Sequence, residues 1–113
     1  MRRAARVDAN HTAVMTALGA MGCSVQSLAN QGGGVPDLLV GYRGQTFLVE
    51  VKDGKKAPSR RKLTDDQGKW HAWWRGSPVY VVHSPDEALA VVCGIPIEPT
   101  EHWTGWREAM GDA

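Results

Sequence analysis

The sequence predicts an α/β domain, a mixed central β-sheet flanked by helices, and three observations predict it. Two short aliphatic runs, Leu38 to Val40 and Phe47 to Val51, are joined by Gly41-Tyr42-Arg43-Gly44-Gln45 and read as a β-hairpin. A third run, Val79 to His83 (VYVVH), reads as a buried strand. Around them stand stretches with helical spacing and clear start and stop residues, from Asp8 to Gly22, from Thr64 to Gly76 and from Ser84 to Gly94. At 113 residues the chain is one domain, with a core over about 8–92 and a C-terminal extension over 93–113. Hydrophobic residues make up 42% and charged residues 22%, the balance of an ordinary globular protein.

In the first helix Asp8 is an N-cap, Val14, Met15, Leu18 and Met21 recur at helical spacing, and Gly22 closes the last turn. Asn10 and His11 are the other polar candidates of its first turns; His11 reads either as a ligand or, the favoured expectation, as a surface histidine. Cys23 to Leu28 (CSVQSL) alternates apolar and polar residues and is expected as a strand beside the hairpin. Ala29 to Val35 is a loop whose Gly32-Gly33-Gly34 run permits close backbone approach; neither its spacing nor its following residues fit a phosphate-binding P-loop. Thr64-Asp65-Asp66-Gln67 matches a capping box, with Gln67 at N3, and the helix is expected to run to about Arg75. Trp70, Trp73 and Trp74 form one stripe on it, expected to pack against the sheet, with a dimer interface or base stacking as other roles. Ser84 caps the last core helix, with Pro85 at its first position and acids behind it. His83, at a strand end, is expected to be structural. Beyond Ile95 the tail contains a candidate short helix over Thr104 to Met110 with Trp103 and Trp106 near it.

The hairpin carries the chemistry. With Arg43-Gly44 as a two-residue turn, opposite residues have numbers that sum to 87, so Leu38 faces Val49 and Asp37 faces Glu50. Directly opposite residues share a face with Cβ atoms about 4.5–5.5 Å apart. Lys52, two residues after Glu50, returns to that face by period-2 alternation. Two carboxylates this close repel unless a proton or a cation lies between them. Mg²⁺ or Mn²⁺ suits such a pair, and a neighbouring lysine can position or activate a water for phosphodiester hydrolysis.

The formal net charge of +1 hides an asymmetry: between Lys52 and Lys62 there are six basic residues (Lys52, Lys55, Lys56, Arg60, Arg61, Lys62) against one acid, Asp53. The two cysteines, Cys23 and Cys93, have no CxxC spacing and read as small, reduced core residues. No apolar run approaches a membrane span and no hydrophobic signal core follows the basic N-terminus, so the expectation is a cytoplasmic protein without a membrane partner.

Pro36-Asp37, twelve intervening residues and Glu50-Val51-Lys52 together resemble the signature of the PD-(D/E)XK nuclease superfamily, the restriction-endonuclease-like fold. Size and element order over about Asp8 to Val92 look most like its VRR-NUC branch, the virus-type replication-repair nucleases, with Holliday junction resolvases more distant. The resemblance implies a restriction-endonuclease-like core and a metal-dependent DNA endonuclease acting on branched, flapped or junction DNA, with a homodimer among its partners. It implies Mg²⁺ or Mn²⁺ held by Asp37, Glu50 and the Val51 carbonyl, with Lys52 on the attacking water and Gln67 assisting. The family places a further acid on the first helix; Asp8 is the sole acid there and stands either as that ligand or as the cap alone. Lys55, Lys56, Arg60, Arg61 and Lys62 would hold the DNA backbone. Gly33 and Gly34 would either meet a phosphate or shape the loop. Two other readings use the same residues: a DNA-binding module without catalysis, and an interaction protein acting through its tryptophans.

Overall fold

The computed structural model describes residues 9–53 and 62–96. Asp8, Lys55, Lys56, Arg60, Arg61 and the expected helix over 104–110 lie outside the described residues. The elements run α1 (Ala9–Met21), β1 (Ser24–Ser27), β2 (Leu38–Tyr42), β3 (Gln45–Val51), α2 (Asp65–Trp73), β4 (Val79–Val82) and α3 (Pro85–Val92). The four strands form one mixed sheet in the order β1-β2-β3-β4. β1, β2 and β3 pair antiparallel, and β4 joins β3 in parallel after the connection that contains α2. This is the expected α/β class.

The hairpin has the register that turn counting requires, Leu38 opposite Val49, Val40 opposite Phe47 and Tyr42 opposite Gln45. Arg43 and Gly44 both take positive φ, 51° and 80°. Positive φ at both central positions is the mark of a type I′ turn, whose twist matches that of the strands it joins.

Period-2 alternation divides the sheet into two faces. One carries Leu38, Val40, Phe47, Val49 and Val82 into a core with Val14 and Leu18 of α1 and Ala88, Val91 and Val92 of α3. Val14 and Leu18, one turn apart, are fully buried, each contributing about 1.5–3 kcal/mol relative to exposure. Both covering helices end in the same way: Cys23 N–H donates to Leu18 O and Gly22 N–H to Gly19 O, while Ile95 N–H donates to Ala90 O and Gly94 N–H to Val91 O. These are Schellman pairs, which satisfy last-turn carbonyls. The opposite face carries Leu39, Leu48, Glu50, Val79 and Val81, and the candidate site lies there.

Three expectations are corrected here. His11 is 6% exposed rather than on the surface, because His11, Val14 and Leu18 share one stripe of α1, at i, i+3 and i+7. The helix begun at Thr64 ends at Trp73, with Trp74 in extended conformation as its C-cap, two residues short of Arg75. Cys93 is exposed and is not a core residue, while Cys23 is half-buried and packs against the edge of the core. Cys93 lies where α3 has already turned out of the core, with its thiol 3.8 Å from Met21 Sδ, and burial followed by the neighbouring Cys93 raises the Cys23 thiol pKa.

Candidate active site

Asp37 is the hinge between the glycine loop and β2. Its carbonyl accepts from Leu28 N–H at 2.7 Å, which continues the β1-β2 ladder past the last formal pair. Pro36 beside it is fully buried and has no N–H to give. At that level the Val51 N–H is taken by the Asp37 side chain, Oδ2, at 2.9 Å. The carboxylate is thereby fixed against the end of β3, next to Glu50.

Glu50 is 1% exposed, a degree of burial that acids reach almost only when paired. Oε2 accepts from Gln67 Nε2 at 2.9 Å, and Oε1 has no hydrogen-bond partner. Its pKa is pushed up from 4.5 to about 9. Burial is the largest cause; next come the negative charge of Asp37 and the hydrogen bond that a protonated Glu50 makes to that carboxyl, and Lys52 works in the opposite direction.

Gln67 joins the site to its helix. Its Oε1 accepts from Thr64 N–H at 2.9 Å and from Lys52 Nζ at 2.8 Å, while Gln67 N–H is held by Thr64 Oγ1 at 3.2 Å. The capping box and the active-site reach, two competing explanations of a glutamine here, are satisfied by the same side chain. Lys52 is held at both ends: its N–H donates to Val82 O at 2.9 Å and its carbonyl accepts from Asn10 Nδ2 at 2.8 Å. Asn10 also donates to His83 O at 3.3 Å, so α1 clamps the adjacent ends of β3 and β4.

The glycine run makes its close approach at Gly34. A Cβ there would run into the Asp66 carbonyl and lie 2.9 Å from the Gln67 nitrogen, and φ is +87°. Gly34 is therefore the surface on which the first turn of α2 rests, and this seats Gln67 over Glu50. Its φ and its contact both exclude a side chain. Gly33 meets nothing within 4 Å and stays open to solvent. Lys62 is exposed just before α2.

The tryptophans depart from expectation. Of the described tryptophans, Trp70, Trp73 and Trp74, none joins the buried core. Trp70 and Trp74 stack on each other, centroids 4.9 Å apart and planes 15° apart, and Trp73 is 64% exposed. Gln67, Trp70 and His71, at i, i+3 and i+4, share one side of α2, and Trp73 falls outside it. His83 sits as a strand-end residue whose N–H donates to Glu87 Oε1 at 2.7 Å, with ring Nδ1 3.2 Å from the same oxygen.

Of the predicted constellation, Asp37, Glu50, Lys52 and Gln67 come together on one sheet face. The residue that sequence reasoning undervalued is Asn10, whose tie to Lys52 spans 42 positions. Its sole local signal was a polar residue just ahead of a buried helical stripe. Among the described residues no group of three His, Cys, Asp or Glu is placed to hold a metal. The donor set that the described residues bring together is two carboxylates, Asp37 and Glu50. That set fits a hard divalent cation that keeps several waters, and it does not fit a closed four-ligand zinc site. The partnerless buried oxygen of Glu50 and its repulsion from Asp37 are what a bound cation relieves. Among the described residues no helix is long and apolar enough to cross a membrane. A scan of family models and searches of curated proteins and of solved structures found no match to the chain.

Proposed function

We propose that the protein is a metal-dependent DNA endonuclease of the PD-(D/E)XK type, hydrolysing phosphodiester bonds in branched, flapped or junction DNA. The observation that carries the reading is Glu50 Oε1, buried and without a donor beside a second carboxylate, with an amine and an amide lined up on the same face. Burying an acid in its ionised form in this way is costly, and a cation at the site would offset that cost.

Asp37, Glu50 and the Val51 carbonyl would hold Mg²⁺ or Mn²⁺. When bound, the cation supplies charge for the scissile phosphate and lowers the pKa of its water. The chain's own residues do the positioning. The Val51 N–H fixes the Asp37 carboxylate, and Gln67 fixes Glu50 Oε2 with its amide nitrogen while its oxygen holds the Lys52 ammonium. Held there, Lys52 Nζ donates to an attacking water or to a phosphate oxygen, stabilising charge as it develops. Asn10 keeps the Lys52 backbone in place at the strand end. The six basic residues over Lys52 to Lys62 contribute sequence-independent, salt-sensitive attraction to DNA.

The test is cleavage of branched, flapped and linear DNA in Mg²⁺ or Mn²⁺ by wild type and by Asp37→Ala, Glu50→Ala and Lys52→Ala. Cleavage by wild type alone is the expected result. A wild type that binds these DNAs and cleaves none, or three variants that all retain activity, overturns the proposal.

A further inference from the structure

The helix that brings Gln67 into the site also presents the one aromatic ring among the exposed large apolar side chains of the described residues, the others being Leu39 and Ile95. Trp73 is 64% exposed and lies six residues after Gln67, about 9 Å along the helix axis at 1.5 Å per residue. The ring is braced rather than covered. Trp70 and Trp74, stacked on each other, meet Trp73 at a tilt, with centroids 5.8 and 6.2 Å away and planes at 64° and 52°. Neither stacks on its face.

Two cations lie close to Trp73 in the chain, and the helix also carries the exposed acids Asp65 and Asp66 in its first turn. Lys69, exposed, precedes Trp73 by one helical turn on the same strip of surface. Arg75, also exposed, donates from Nη1 to the Ala72 and Trp73 carbonyls at 2.7 and 2.9 Å, which fixes its guanidinium at the C-terminal end of the helix that carries the ring. An apolar protein interface requires a contiguous patch. A single braced aromatic face, with one cation a helical turn before it and another at the helix end after it, suits a different partner, an unpaired base in a phosphodiester chain.

We infer that Trp73 is a stacking platform for an unpaired nucleobase, with Lys69 and Arg75 taking the adjacent phosphates. The inference deepens the nuclease reading by naming the part of the substrate taken at α2, a single-stranded segment near the cleaved bond, and rests on that reading for the choice of nucleic acid. It does not depend on catalysis, and the test is made without metal.

In a chelating buffer, binding of a fluorescein-labelled oligothymidylate is followed by anisotropy, and quenching of tryptophan emission by the unlabelled oligomer is followed in parallel, with sedimentation reporting oligomeric state. Trp73→Ala should weaken Kd by about 5- to 100-fold and remove most of the quenching, while Trp73→Phe retains most of both. The exposed position keeps the fold intact, which circular dichroism checks. Trp73→Ala that binds as wild type overturns the inference. So does a variant that turns a dimer into a monomer without changing oligothymidylate affinity, since the ring then serves contact between copies. Trp73-dependent binding by a protein that cleaves no DNA would remove the nuclease reading and leave the platform standing; cleavage with Trp73-independent binding would do the reverse.

Discussion

Replacing Glu50 by glutamine should stabilise the metal-free protein at alkaline pH, the opposite of what altering a fully buried residue usually does. The Glu50 carboxyl is pushed up from 4.5 to about 9, chiefly by burial and then by the charge of Asp37. A raised folded value means that the folded state holds the proton more tightly than the unfolded chain. The resulting stability is complete below about pH 4.5 and is lost as pH rises towards about 9. At about pH 8 the medium is roughly 3.5 units above the unfolded value, and at about 1.4 kcal/mol per unit the loss reaches a ceiling of roughly 5 kcal/mol. Water entering between the carboxylates lowers it. Glutamine leaves an oxygen for Gln67 Nε2 and offers N–H towards Asp37 where the protonated acid offers its proton, with no charge to bury. Thermal melting in a chelating buffer between about pH 5 and pH 9 is the assay. Wild-type Tm should fall with pH and that of Glu50→Gln should stay level, the variant melting higher at about pH 8 by at least ~5 °C, the worth of about 1 kcal/mol in a domain of this size. Adding Mg²⁺ should raise wild type and leave the variant where it was. A wild-type Tm that holds constant over the range, or a variant that melts lower at about pH 8, refutes the reasoning.

The support beneath the site yields two further expectations. Gly34→Ala forces a Cβ into the Asp66 carbonyl at a positive φ, and strain of this kind costs about 1–3 kcal/mol. It should lower Tm and, by lifting α2 and Gln67 from Glu50, reduce cleavage, whereas Gly33→Ala, with open space around its Cβ, should leave cleavage near wild type. Gln67→Ala removes one side of the capping box and both side-chain bonds to the site, so it should cost about 1 kcal/mol in denaturant unfolding. It should also lower kcat more than it raises the KM for DNA, and an unchanged kcat would restrict Gln67 to capping.

How far the sequence revealed the site depended on the range of the interaction. The hairpin was legible because Arg43-Gly44 is a short turn between alternating runs, and counting outwards from it sets Asp37 against Glu50 without tertiary information. Gln67 was legible twice, as a cap and as a candidate site residue, and one side chain both closes the capping box and reaches Glu50 and Lys52. Periodicity alone misled at Trp73: the spacing of the tryptophans gives a stripe, but the rotation of α2 is set by the reach of Gln67 to Glu50 and by the seat on Gly34, both remote in sequence. His11 misled for the opposite reason, since its polar character outweighed its place in line with Val14 and Leu18. Asn10 acts on carbonyls at two strand ends that become neighbours in the folded sheet alone, and no local pattern encodes that.

The central claim is that Asp37 and Glu50 hold a divalent cation and that Lys52 acts on the phosphodiester beside it. Mn²⁺ affinity and single-turnover DNA cleavage, measured on the same preparations of wild type, Asp37→Asn and Lys52→Ala, test it most directly. Asp37→Asn should lose both, while Lys52→Ala should keep wild-type Mn²⁺ affinity and lose cleavage by about 100-fold or more, the usual contribution of a positioned proton donor or acceptor. Mn²⁺ affinity unchanged in Asp37→Asn, or cleavage by Lys52→Ala at the wild-type rate, would contradict the account.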